Sequence, residues 1–189
     1  MKKITTMLLV LLGFSGFAQH YKYAPSSENP FGLPNPNAPK EITDYKEMIG
    51  KCNCKSLARI DQNTWADTVA MTWEFRYIMD GMAVQDITNK EDGAHSGSIR
   101  QYNADSAKWY VHYYATSGAP SKLPVWEGNR TDDKIILYKD QNAPNGTPGY
   151  YRITFFNISN KGFDWLGEWV DKKETFSHPI WKIFCKRGK

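Results

Sequence analysis

The side chains able to do chemistry in this sequence are few and scattered. Cys52 and Cys54 are one residue apart, and Cys185 lies near the other terminus. Two thiols and a distant third, with no histidine beside them, make a poor zinc set, because zinc takes four ligands in a tight tetrahedron. His20, His95, His112 and His178 are nowhere at metal-ligand spacing. His112, between Tyr110 and Tyr114, and His178 are the candidates for an axial haem ligand, although surface and core histidines are far commoner. No Gly-x-Ser-x-Gly elbow, P-loop or dinucleotide fingerprint occurs. Acid–base chemistry, such as isomerisation or hydrolysis, would need His112 and a carboxylate such as Glu168 to converge in one pocket. No catalytic residue, cofactor or metal ligand is assigned on this basis.

The chemistry that recurs is aromatic. The chain carries 7 Trp, 11 Tyr and 9 Phe. Many fall on alternate positions, the spacing that puts side chains on one face of a strand. Val69, Met71, Trp73, Phe75, Tyr77 and Met79 form one such face. Ser98, Arg100 and Tyr102 form another, and Trp109, Val111 and Tyr113 a third, leaving His112 opposite. Trp126, Gly128 and Arg130 follow, then Phe163, Trp165, Gly167 and Trp169. A tight hairpin at 157–162 would put Tyr150, Arg152, Thr154 and Phe156 on the face of Trp165 and Trp169. Aromatic walls with a few placed polar groups are the usual make-up of a small-molecule pocket. An inward Arg100 or Arg152 suits a carboxylate or phosphate. The residues expected to line an interior site are Trp73, Arg100, Tyr102, Trp109, Trp126, Arg152, Trp165 and Trp169. The same alternation would also serve a barrel filled by its own side chains.

These faces need a scaffold. Period-2 segments are expected at 51–60, 68–79, 83–88, 95–103, 108–116, 123–130, 133–139, 149–157, 161–171 and 179–186. Turn residues separate them, including Asp80-Gly81, Asp92-Gly93, Asn145-Gly146 and Asn160 to Gly162. Successive hairpins without an intervening helix describe an antiparallel meander, and closure removes its exposed edges. The expected fold is all-β: an up-and-down barrel of about 8–10 strands, with a sandwich as the alternative. One short helix is expected over 39–49, where Ile42, Tyr45, Met48 and Ile49 share a face, and it would cover one end. Closure would make the first and last strands neighbours. Cys54–Cys185 is then a cross-strand disulfide with Cys52 left over, and Cys52–Cys185 is the variant.

The N-terminus carries a different signal. Lys2 and Lys3 precede an apolar run over 4–14, and Gly16 and Ala18 are the small residues of a cleavage site before Gln19. This is the pattern of a secretory signal peptide over 1–18, too short to span a bilayer. A Pro-rich extended arm is expected over 19–39, and a single barrel domain over 40–189. The full chain has a net charge of +4, and losing Lys2 and Lys3 leaves +2. That balance does not argue for nucleic acid. The expectation is an exported protein, periplasmic or extracellular, that is not membrane-spanning.

The order of these features resembles secreted lipocalin-like proteins of the calycin superfamily. The residues carrying the likeness are Gly81 after a long aromatic strand, Ile99-Arg100-Gln101-Tyr102 with Trp109 across a hairpin, and Trp126-Glu127-Gly128. Tyr151-Arg152-Ile153-Thr154-Phe155 and Phe163-Asp164-Trp165 through Trp169 to Trp181 complete it. The likeness spans residues 45 to 186. It implies a closed barrel, often with an internal cavity, and no catalytic set. One departure stands out. Lipocalins open their first strand with Gly-x-Trp, where this chain has Gly50-Lys51-Cys52. The basic residue that packs on that Trp, here Lys186 or Arg187, thus lacks its partner. The expected function is to bind a small hydrophobic or amphipathic molecule inside the barrel. An acid–base enzyme, a haem-binding barrel and a filled barrel with a structural or interaction role are the alternatives.

Overall fold

The computed structural model describes residues 21–188. The expected signal peptide over 1–18, its cleavage point at Ala18/Gln19 and residues 19–20 of the arm lie outside them.

All ten expected strands form: β1 (Gly50–Ala58), β2 (Val69–Ile78), β3 (Ala83–Lys90), β4 (His95–Asn103), β5 (Lys108–Ala115), β6 (Val125–Thr131), β7 (Lys134–Asp140), β8 (Gly149–Ser159), β9 (Gly162–Asp171) and β10 (Ser177–Lys186). Each pairs antiparallel with its sequence neighbours, and β10 pairs with β1, so the sheet closes. Closure leaves no edge strand to template association. The pleat sends alternate residues inward. In β2 these are Met71, Trp73, Phe75 and Tyr77, all buried, while Thr72, Glu74 and Arg76 lie outside them.

The β8–β9 hairpin departs from the expected register. Tyr151 pairs with Trp169, Ile153 with Gly167 and Phe155 with Trp165, and the ladder then shifts between Phe156 and Ser159. The irregularity sits at Asn157, which adopts a positive φ of 52°. A bulge of this kind inserts a residue into one strand and inverts which side chains face in. Tyr151, Ile153 and Phe155 therefore face the interior, and Tyr150, Arg152, Thr154 and Phe156 face out.

One end of the barrel is plugged. The expected helix is a short 3-10 helix, Lys40–Tyr45, rather than a helix over 39–49. A turn every three residues puts Ile42, Tyr45 and Met48 on one side, and all three are buried. Polar groups fasten the plug to the strands. Trp109 donates its indole N–H to Asp44 at 2.9 Å, and Arg130 donates to the Asp44 carbonyl at 2.6 Å. Arg187 donates to the carbonyls of Glu47 and Ile49. Where a lipocalin would stack a Trp on the basic residue, this chain uses the guanidinium to cap carbonyls. Part of the arm lies on the same end. Leu33 N–H donates to Tyr23 O, Tyr77 N–H to Phe31 O, and Asn35 N–H to the carbonyl of Gly81 in the β2–β3 turn.

Cys54 and Cys185 face each other across β1 and β10 and are bridged. Cys52 is the free, buried thiol, and burial raises its pKa. The bridge closes the barrel seam over a separation of 131 residues. Constraining so long a loop in the unfolded chain is worth about 2–5 kcal/mol. Replacing both Cys54 and Cys185 by serine is expected to lower unfolding free energy by that amount in urea titrations. A thiol reagent is expected to find no reactive thiol in the native protein and one after unfolding.

Candidate functional site

The inward aromatics fill only half of the barrel. Towards the plugged end, Trp73, Phe75, Phe155 and Phe163 pack with ring centroids 5.3–6.3 Å apart. Tyr45 meets Trp109 edge-on at 5.0 Å. Beyond this layer the interior opens into a cavity of about 280 Å³. Val111, Trp126, Ile153, Trp165 and Trp181 are among its walls, Trp73, Asp86 and Arg100 form its floor, and Lys90 and Lys139 reach its rim. The volume lies just below the roughly 300–1,000 Å³ of sites for drug-sized ligands.

The floor is a buried ion pair. Arg100 and Asp86 are 3% and 4% exposed. Arg100 Nη1 donates to Asp86 Oδ1, Ser98 Oγ donates to the same oxygen, and Trp73 Nε1 donates to Asp86 Oδ2 at 2.7 Å. Antiparallel pairing brings them together: Asp86 lies opposite Ser98, and Val84 opposite Arg100. The guanidinium also lies over the rings of Phe75, Tyr45 and Phe155 at 5.0, 5.2 and 5.7 Å. Burial works against the arginine charge, but Asp86 and Tyr45 together outweigh it and the pKa is raised. Burial pushes the Tyr45 phenol up to about 12. Arg100 is thus charged, while the tyrosine under it stays neutral.

The rim differs in character. Lys90 pairs with Asp92 at 2.7 Å and lies 5.7 Å from the Trp181 ring. Lys139 lies 4.6 Å from the centre of the Trp126 ring and 5.9 Å from that of Tyr151. Burial lowers its pKa below the usual lysine value. Burial raises the Tyr151 phenol, which stays protonated near neutral pH. Gly167 makes room here, since a β-carbon in its place would collide with the Tyr151 hydroxyl and the Trp165 ring.

Of the residues expected to line the interior, Trp73, Arg100, Trp126 and Trp165 meet at this cavity. Trp109 and Tyr102 face inward but belong to the plugged end, where their rings contact each other at 5.6 Å. Trp169 sits beyond the cavity, donating its indole N–H to Gln141 O at 2.9 Å. Arg152, expected to line the interior, does not line the cavity. The β8 bulge turns it outward, where it binds Glu168 at 2.9 Å and Glu174. His112 alternates with the cavity residues Val111 and Tyr113 and so points outward on β5, while Glu168 is tied to Arg152 on β9. They do not converge. His112 is absent from the cavity wall, and His178 lies outside the cavity beside Ile180. Neither is placed as an axial ligand within the barrel.

Lys139, Tyr151 and Asp86 were not among the expected site residues. A signal for Lys139 was present, because it continues the inward alternation of Ile135 and Leu137. Asp86 had the same cue from Val84 and Thr88.

Comparison with solved structures gives a match to the crystal structure of Rv2717c from M. tuberculosis. It has a TM-score of 0.55 and 9% sequence identity, covering 81% of this chain and 100% of that one. The likeness is one of fold. No family model matches the chain, and no curated protein matches it. The ten strands also exceed the roughly eight of lipocalin barrels.

Removing one partner of a buried ion pair strands the other charge, at a cost of about 3–5 kcal/mol. Arg100→Met or Asp86→Asn alone is expected to lose stability on that scale in urea titrations. The double variant Asp86→Asn/Arg100→Met is expected to lose clearly less than the two single losses added together.

Proposed function

We propose that the protein is an exported binding module that holds a small amphipathic molecule in the open half of the barrel. The observation that carries this reading is the arrest of aromatic packing at the Asp86–Arg100 layer, with an unfilled, largely apolar space above it. Protein interiors ordinarily pack as densely as organic crystals, and a void forfeits the contacts of every side chain around it. A cavity walled by Trp126, Tyr151, Trp165 and Trp181 carries that cost without a structural return, unless a ligand recovers the lost contacts. The rim supplies polarity through Lys90 and Lys139, while the walls supply apolar area, the division an amphipathic occupant needs. The leader-like sequence over 1–18 and the Cys54–Cys185 bridge support export, since disulfides persist in oxidising compartments.

Native mass spectrometry of protein purified from its own host tests the reading. A retained small-molecule mass is expected on the wild-type chain. It is expected to be absent from an Ile153→Trp variant whose circular dichroism is unchanged, because the indole fills the cavity. Bare protein mass in both samples would contradict a carrier role.

A further inference from the structure

The rim cation on β7 has nothing to pair with. Among the described residues, Lys139 makes no ion pair and no hydrogen bond, whereas Lys90 across the mouth is already neutralised by Asp92. Lys139 lies over the faces of Trp126 and Tyr151, which meets part of its charge but uses none of its three N–H donors as hydrogen bonds. A second group beside it is also unsatisfied. The indole Nε1 of Trp126, a side chain 7% exposed, is buried without a hydrogen-bond partner. An unpaired buried donor forfeits the hydrogen bond it would make to water. Tyr151, opposite Lys139 in the β7–β8 ladder, adds a neutral phenol at the same corner. The Lys139 ammonium and the Trp126 indole are both donors, one carries the charge, and among the described residues neither makes a hydrogen bond.

We infer that the occupant of the barrel carries a carboxylate, received at the rim by the Lys139 ammonium. Pairing draws Lys139 off the Trp126 ring and gives the indole N–H an acceptor as well. The alkyl or aromatic remainder of the molecule then descends along Trp126, Ile153 and Trp165 towards the Asp86–Arg100 floor. At the floor Arg100 is already paired with Asp86, and an anion placed there would also meet that carboxylate. A single uncommitted cation matches a singly charged group better than a doubly charged phosphate. The inference rests on the reading of the barrel as a binding module and names the chemistry of its ligand.

The test compares octanoate, octyl phosphate, 1-octanol and octylamine by isothermal titration calorimetry on the disulfide-bonded protein. A charge-assisted contact predicts that octanoate binds about tenfold tighter than octanol, with octylamine weakest. In Lys139→Met, octanoate falls to the affinity of octanol while octanol is unchanged. Lys139→Arg keeps most of the preference, and Trp126→Phe weakens octanoate more than octanol. Octanol binding as tightly as octanoate to the wild-type protein would overturn the carboxylate assignment and leave the binding module standing. Octyl phosphate binding tighter than octanoate would overturn the carboxylate in favour of a phosphate. Failure of all four to bind would overturn both readings.

Discussion

The Asp86–Arg100 pair sets the organisation of the barrel. Two opposite charges are held among aromatic rings at about mid-height, and the desolvation they incur is offset by a dense local network. Asp86 accepts from Arg100, Ser98 and Trp73 at once. The Arg100 guanidinium lies over the rings of Phe75, Tyr45 and Phe155. The pair therefore fixes the orientation of the aromatic layer beneath it and forms the floor of the space above it. Without it, Trp73 would lose its acceptor and the boundary between filled and open halves would lose its anchor.

The two ends follow from that division. Below the pair, the 3-10 helix and the turn after it insert Tyr45 and Met48, and Arg187 and Arg130 cap carbonyls of the plug. The arm adds backbone hydrogen bonds to β2 and the β2–β3 turn. Above the pair there is no such plug among the described residues. The walls end in Lys90, Lys139 and Gln141 instead of another aromatic layer. The asymmetry gives the barrel a rigid base and one mouth, the arrangement a small-molecule site built on strands requires.

Much of the fold was legible because strand structure has a short period and its turns carry their own chemistry. The ten segments and the closure between β1 and β10 follow from alternation and from Gly, Asn and Asp at the turns. The site was less legible, for two physical reasons. A bulge at Asn157 changes which residues face inward without changing where the strands lie, so Arg152 and Tyr151 exchanged places. And height along the barrel axis is invisible to alternation. Tyr102 and Trp109 share the inward face with Arg100 and Val111, yet they pack against the plug and not around the cavity. Asp86 and Lys139 follow the inward alternation of their strands, but alternation does not show whether an inward charge has a partner. One has partners that satisfy it, and the other does not.

The barrel is packed below the Asp86–Arg100 pair and open above it. A crystal structure of the protein purified under mild conditions from its own host tests this most directly. The expected result is an intact Asp86–Arg100–Trp73 contact, with electron density from a non-protein molecule bounded by Trp126, Tyr151 and Trp165. A structure in which Trp126 and Tyr151 have folded inward to fill that space would contradict it.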